Sequence, residues 1–280
     1  IRVLGVKMKL RRSERLVDMT TYLMDHPSTL IPLSFFSERY QSAKSSISED
    51  LVIIKQTLEA MGNGTLVTVP GAAGGVKYIV GVSMEESDQI IKDLCALMET
   101  PERLLPGGYL YMTDILGQPK IISNVGKLIA SHYANQNIDV VMTVATKGIP
   151  LAYSVAHYLN VPVVIVRRDS LVTEGPTLSI NYVSGSNKRI QTMVLSKKSL
   201  KRDSKVLIVD DFMKAGGTVN GMINLIEEFD ANVAGIAVLV EAENSEERLV
   251  DEYLSLIKLT DVNMKDKTIK VNKGNFFRSK

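Results

Sequence analysis

The 280-residue chain is 45% hydrophobic and 23% charged, carries a formal net charge of +2 and holds one cysteine. Such a balance suits a globular protein with a sizeable core, and it excludes a disulfide framework and a uniformly basic polyanion binder. No apolar run approaches the roughly 18 residues of a membrane helix. The lone Cys95, between Leu94 and Leu97, reads as a small core residue in a reducing cytoplasm. His26, His132 and His157 are scattered without metal-ligand spacing, so no metal site is expected. Ile1 to Lys7, which precede Met8 and lack the apolar run of a signal peptide, are left out of the fold reading.

In chain order, Arg12 to Asp25 carries Leu16, Met19, Thr20 and Leu23 on one helical face and stops at His26-Pro27. Pro32 suits the first turn of a second helix, Leu33 to Tyr40. A third helix is expected from Ser46, with Ser46 and Glu49 as a capping box. Its inward stripe is Ile47, Leu51, Ile54, Leu58 and Met61. Gly62-Asn63-Gly64 ends it, and two β-rich runs around a glycine-rich tip, Pro70 to Gly75, form a hairpin. Three helices and a hairpin, over residues 8–81, follow the order of a winged helix-turn-helix.

Residues 84 to 99 form a connecting helix with Ile90, Ile91, Leu94, Leu97 and Met98 inward. The pattern then alternates. Helices are expected at Lys120–Tyr133, Pro150–Leu159 and Thr218–Phe229. Buried strands are expected at Asp139–Val144, Val161–Val166, Lys205–Val209 and Val233–Val240. Continuous Val/Ile runs alternating with helices predict an α/β domain over residues 82–280, its mostly parallel sheet covered on both faces.

The most informative stretch is Val206-Leu207-Ile208-Val209-Asp210-Asp211-Phe212-Met213-Lys214-Ala215-Gly216-Gly217-Thr218. A buried strand delivers two acids to the carboxyl edge of the sheet, where ligands of such folds bind. Adjacent carboxylates accept hydrogen bonds from a vicinal diol. Paired glycines let backbone amides close on a phosphate, and Thr218 adds a hydroxyl at a helix N-terminus that favours an anion.

These residues resemble the phosphoribosyl pyrophosphate (PRPP) motif of type I phosphoribosyltransferases, over about residues 109 to 260. Val144 to Pro150 resembles that family's pyrophosphate loop, which implies diphosphate contacts from Thr146, Lys147 and Gly148. Arg167 to Arg189, rich in Ser, Thr, Gly and Asn, stands where the family has its flexible loop. Tyr109 and Phe212 suit either stacking on a purine or a place in the core. One departure matters. The family's enzymes commonly carry a threonine where this chain has Ala215, next to Lys214. Polyanion binding survives that change, whereas transfer geometry tolerates little misplacement. No base-recognition segment is evident.

On the N-terminal half, Lys9, Arg11, Arg12 and Arg15 form a local basic arm. Lys44, Ser45, Ser46 and Ser48 open the third helix, where a recognition helix meets bases and phosphates. Gly71, Gly74 and Lys77 make the wing tip. From pattern alone, this half is equally a structural subdomain or a DNA reader.

Both halves together resemble the purine operon repressors of Gram-positive type. The match is carried by Arg11-Arg12-Ser13, Phe35 to Tyr40, Ser42 to Asp50, Val69 to Tyr78 and Asp210 to Thr218. That resemblance implies a homodimeric repressor on a double-stranded operator, with PRPP as inducer in a non-catalytic domain. It implies ppGpp as a competitor for the pocket, and no required cofactor beyond Mg²⁺ arriving with PRPP. The rival readings are an active purine phosphoribosyltransferase and an RNA-binding or partner-docking module on a sensor domain.

Overall fold

The computed structural model describes residues 9–71, 73–106, 109–169, 173, 175–183, 190–243 and 248–278. These form two compact units: the described residues up to Met84 together with Tyr158–Asn160, and the remaining described residues.

The first unit contains α1 (Arg12–Asp25), β1 (Leu30–Ile31), α2 (Leu33–Tyr40), α3 (Lys44–Ala60), β2 (Thr65–Val69) and β3 (Gly75–Ile79). The strands form an antiparallel sheet of order β1-β3-β2, as in a winged helix. Met19 and Leu23 of α1, Phe36 and Tyr40 of α2, and Ile47, Leu51, Ile54 and Leu58 of α3 close on Leu66, Val76 and Tyr78 of the sheet. Burying such side chains stabilises by about 1.5–3 kcal/mol each before conformational entropy is counted.

Three expectations are corrected here. α3 starts at Lys44 rather than Ser46, because Ile47 N–H already bonds Ala43 O at 3.1 Å. Ser46 therefore lies inside the first turn and caps nothing. Met61 falls past the last turn and is 68% exposed. Arg15, expected on a basic arm, is buried on α1 and donates from Nε to Asp50 Oδ2 at 2.6 Å. Asp50 of α3 is fully buried and also accepts from Arg12 Nε at 2.9 Å.

The second unit begins with α4 (Met84–Met98), which buries Ser87, Ile91, Leu94 and Met98. Leu97 is exposed and Cys95 half-buried, so the inward stripe is narrower than the sequence suggested. After a 3-10 turn at Pro101–Arg103 come β4 (Leu104–Leu105), β5 (Tyr109–Leu110), α5 (Thr113–Leu116) and α6 (Pro119–Tyr133). Then follow β6 (Val140–Val144), α7 (Ile149–Leu159), β7 (Val163–Val166), β8 (Thr177–Val183) and β9 (Ile190–Ser196). The unit ends with β10 (Lys205–Met213), α8 (Gly217–Glu228), β11 (Asn232–Ala242), β12 (Leu254–Asn263) and β13 (Thr268–Lys273).

The central sheet has the order β13-β12-β11-β10-β6-β7, parallel throughout except for the antiparallel β13. The four expected strands are its centre and one edge, and β12 and β13 extend the other side. One sheet face packs on α8 through Val219, Met222, Leu225 and Ile226, and on β8–β9 through Tyr182, Met193 and Leu195. β8 and β9 pair as an antiparallel ribbon, so Thr177–Val183 is strand where the sequence suggested loop. Residues 170–172, 174 and 184–189 of that expected loop lie outside the described residues.

Candidate functional site

β10 continues to Met213, so Asp210 and Asp211 lie within the strand's last turn of pleat, and alternate residues face opposite ways. Asp210 is 5% exposed and Asp211 half-buried. The Asp211 N–H donates to Asp210 Oδ1 at 3.0 Å. Burial, reinforced by the neighbouring Asp211 charge, pushes the Asp210 carboxyl well above the usual carboxylate range. Burial also raises Asp211, opposed by its hydrogen bond with Asp210 and by the Lys147 charge.

Past the strand the chain turns through Lys214, Ala215 and Gly216 into α8. Gly216 caps that helix with φ +85°, a left-handed conformation that glycine adopts without strain. The helix opens with the amides of Gly217 and Thr218, donors without intrahelical partners by position. The expected strand–acid–glycine–helix order is therefore the observed one.

A cavity of about 610 Å³ lies over this turn. Tyr109, Lys147, Asp211 and the run Phe212, Met213, Lys214, Ala215, Gly216, Gly217 and Thr218 line it, as the sequence suggested. Three expected residues do not: Asp210, Thr146 and Gly148. Asp210 lies beneath the wall, 5% exposed and next to the loop after β6. A Cβ built on Gly148 would lie 2.8 Å from Thr143 Oγ1 and 3.1 Å from Asp210 Oδ1, so this glycine lets the loop after β6 close directly over the acid. Thr146 N–H folds back to Val144 O at 2.6 Å. Neither Tyr109 nor Phe212 is a core residue: Tyr109 is 56% exposed and Phe212 half-buried.

The far wall was not anticipated. It consists of Ala242 at the end of β11, Glu243 just past it, and Leu259, Thr260, Asp261 and Val262 of β12. Nothing local marks these residues, because they reach the cavity through sheet order alone. Tyr109 is carried by the β4–β5 pair, which Arg103 fastens: its guanidinium holds Asp114 at 2.7 and 2.8 Å and donates to Tyr111 O at 3.0 Å. That pairing holds the Asp114 carboxyl below its ordinary range.

In the first unit, Lys9 and Arg11 are exposed, as are Lys44, Ser45 and Ser48 on the opening turns of α3. Ser46 is half-buried. Arg12 is shared with Asp50 and lies 3.8 Å from Glu49, so only part of its charge faces outward. Gly71 has open space around it, and Gly74 N–H bonds Gly71 O at 3.0 Å to shape the tip. Lys77 is not on the tip. It sits mid-strand in β3, paired with Leu30 and Val67, because β3 already begins at Gly75.

The fold and cavity define a phosphoribosyltransferase-type domain carried behind a winged helix. A family described as "Bacterial purine repressor, N-terminal" matches residues 11–80, and "Phosphoribosyl transferase domain" matches residues 112–271. The chain is 68% identical over 271 residues to the "Purine biosynthesis transcriptional repressor PurR" of Bacillus subtilis (strain 168), covering 97% of this chain and 95% of that one. It is 48% identical over 271 residues to the "Purine biosynthesis transcriptional activator PurR" of Lactococcus lactis subsp. lactis, covering 97% and 100%. Among solved structures, the adenine phosphoribosyltransferase of Thermoanaerobacter pseudethanolicus superposes with a TM-score of 0.50 at 21% identity, over 59% of this chain and 98% of that one, a likeness of fold. This chain belongs to the family of bacterial transcriptional regulators of purine biosynthesis.

Proposed function

We propose that this regulator acts as a repressor: a homodimer that holds operator DNA through its winged helix and releases it when PRPP enters the phosphoribosyltransferase-type domain. The observation that carries the reading is the cavity walled by Asp211, the Phe212–Thr218 turn and Lys147. Backbone amides at the start of α8 meet the 5′-phosphate. Asp211, which lines the cavity, accepts from the ribose diol, while Asp210 beneath it accepts the Asp211 N–H and fixes that backbone. Lys147 answers the diphosphate. Mg²⁺ would arrive with PRPP, bound to its pyrophosphate. The size and amide donors of the cavity suit ppGpp as well, as a competitor that leaves the DNA-bound state populated.

The domain acts as a sensor without turnover. Ala215 is buried and its carbonyl accepts from Leu249 N–H at 3.0 Å, so this place in the turn is packed rather than offering a hydroxyl to phosphate. Repression rather than activation rests on the name of the 68%-identical relative. The test is footprinting of a purine biosynthesis promoter. Protection that vanishes with PRPP in the wild type and persists with PRPP in Asp211→Asn supports the reading. Protection insensitive to PRPP in the wild type, or pyrophosphate release at ordinary enzyme rates with a purine base, contradicts it.

A further inference from the structure

The phosphate-binding turn is not held by its own residues alone. Past β11 the chain returns as Arg248-Leu249-Val250 and lies against the turn. Leu249 N–H donates to Ala215 O at 3.0 Å, while the Leu249 side chain is 53% exposed, so its backbone makes the contact that matters. Val250 is 6% exposed, and a Cβ placed on Gly216 would come within 3.1 Å of its Cγ2. Ala215 and Gly216 thus take their positions from a short strap.

What holds the strap is a buried carboxylate. Glu241, at the end of β11 and in register with Met213 of β10, is 6% exposed. Its Oε2 accepts from Arg248 Nη1 at 2.8 Å and from Tyr253 Oη at 2.6 Å, and its Oε1 accepts from Ser255 Oγ at 2.8 Å. Arg248 Nη2 also donates to Ala242 O at 2.7 Å, and the guanidinium lies over the Tyr253 ring, 5.2 Å from its centroid. Arg248 at the strap's start and Tyr253 just past it both donate to the one carboxylate oxygen, Glu241 Oε2. A charge-assisted cluster of this kind fixes geometry because removing one member leaves another buried and unpaired. Neither Glu241 nor Arg248 lines the cavity.

We infer that Arg248 and Glu241 are positioning residues for the phosphate turn: through Leu249 and Val250 they hold Ala215 and Gly216 where the amides opening α8 converge on an anion. The inference rests on the PRPP reading of the cavity. At metal sites, outer partners that orient a ligand typically change affinity by roughly 10–100-fold when removed, and by analogy the lower end is expected for a contact relayed through backbone.

The experiment is calorimetric titration of the full-length protein with PRPP and Mg²⁺, on the wild type, Arg248→Met, Arg248→Lys and Val250→Ala, with hydrogen exchange followed over residues 214–221. Arg248→Met should bind about tenfold more weakly, exchange faster over that peptide, and keep the wild-type affinity for operator DNA without PRPP. Arg248→Lys should recover part of the loss, because one cation to Glu241 is restored. A folded Arg248→Met with wild-type PRPP affinity, even at a lower melting temperature, makes the cluster merely structural and overturns the inference. Should Arg248→Met fail to fold, Val250→Ala decides alone: weaker PRPP binding upholds the strap, and wild-type binding removes it. A wild type that does not bind PRPP removes the cavity reading and this inference together, an outcome separate from a failure confined to the variants.

Discussion

Asp210 places a carboxyl in a position poor for folding. Its burial and the adjacent Asp211 favour the protonated form in the free protein. An acid with a raised folded pKa binds more protons folded than unfolded, so stability falls as pH rises from the ordinary carboxylate range toward the raised value. Asp210→Asn keeps an acceptor for the Asp211 amide and removes the charge. It should stabilise the ligand-free protein by about 1–2 kcal/mol near pH 7.5, an increment common when a site residue is relaxed. That gain should shrink as the pH of the melt is lowered toward 4, where the wild-type carboxyl is protonated too. Thermal unfolding across that range measures it, and a gain that does not depend on pH would show that charge is not the cause.

At the scale of elements, α1 and α3 are joined by more than their apolar faces. Asp50 is fully buried between Arg15 and Arg12. Asp50→Ala leaves the Arg15 guanidinium buried without its partner, a class of change that costs about 3–5 kcal/mol. The first unit should then melt earlier, followed by amide signals from α1 and α3, and unchanged melting would show that apolar packing alone holds the helices. The sequence did not reveal this pair, because a basic residue beside Arg11 and Arg12 reads as solvated until the partner, 35 positions away, is placed. The four buried strands could be read locally. β6, β7, β10 and β11 are continuous apolar runs that burial on both faces requires, and the acids at the end of β10 announce the site. β12 and β13 mix Ser, Lys, Thr and Asp among apolar residues, since they approach an edge with one face less covered. β8 and β9 form a ribbon outside the main sheet. Neither pair carries a continuous run, and so the cavity wall made by Leu259 to Val262 stayed hidden.

For the whole molecule, a winged helix and a phosphoribosyltransferase-type fold in one chain join two kinds of phosphate recognition. DNA is held by exposed cations whose binding releases counterions, so operator affinity should fall steeply with salt, and Lys44→Ala should lower the slope of log affinity against log salt by about one. Fluorescence anisotropy at several salt concentrations reads that slope, and an unchanged value would take the first turn of α3 away from the duplex. On the proposed reading PRPP is instead held by a half-buried acid and backbone amides, and its binding should depend less on salt. Reciprocity then requires that operator DNA weaken PRPP binding by the same factor that PRPP weakens operator binding. All of this depends on where PRPP sits. A crystal structure of the protein grown with PRPP and Mg²⁺ is the direct measurement. It should show a ribose hydroxyl on Asp211, and the 5′-phosphate on the amides of Gly216, Gly217 and Thr218. Density for PRPP elsewhere, or a ribose that leaves Asp211 untouched, would contradict the account.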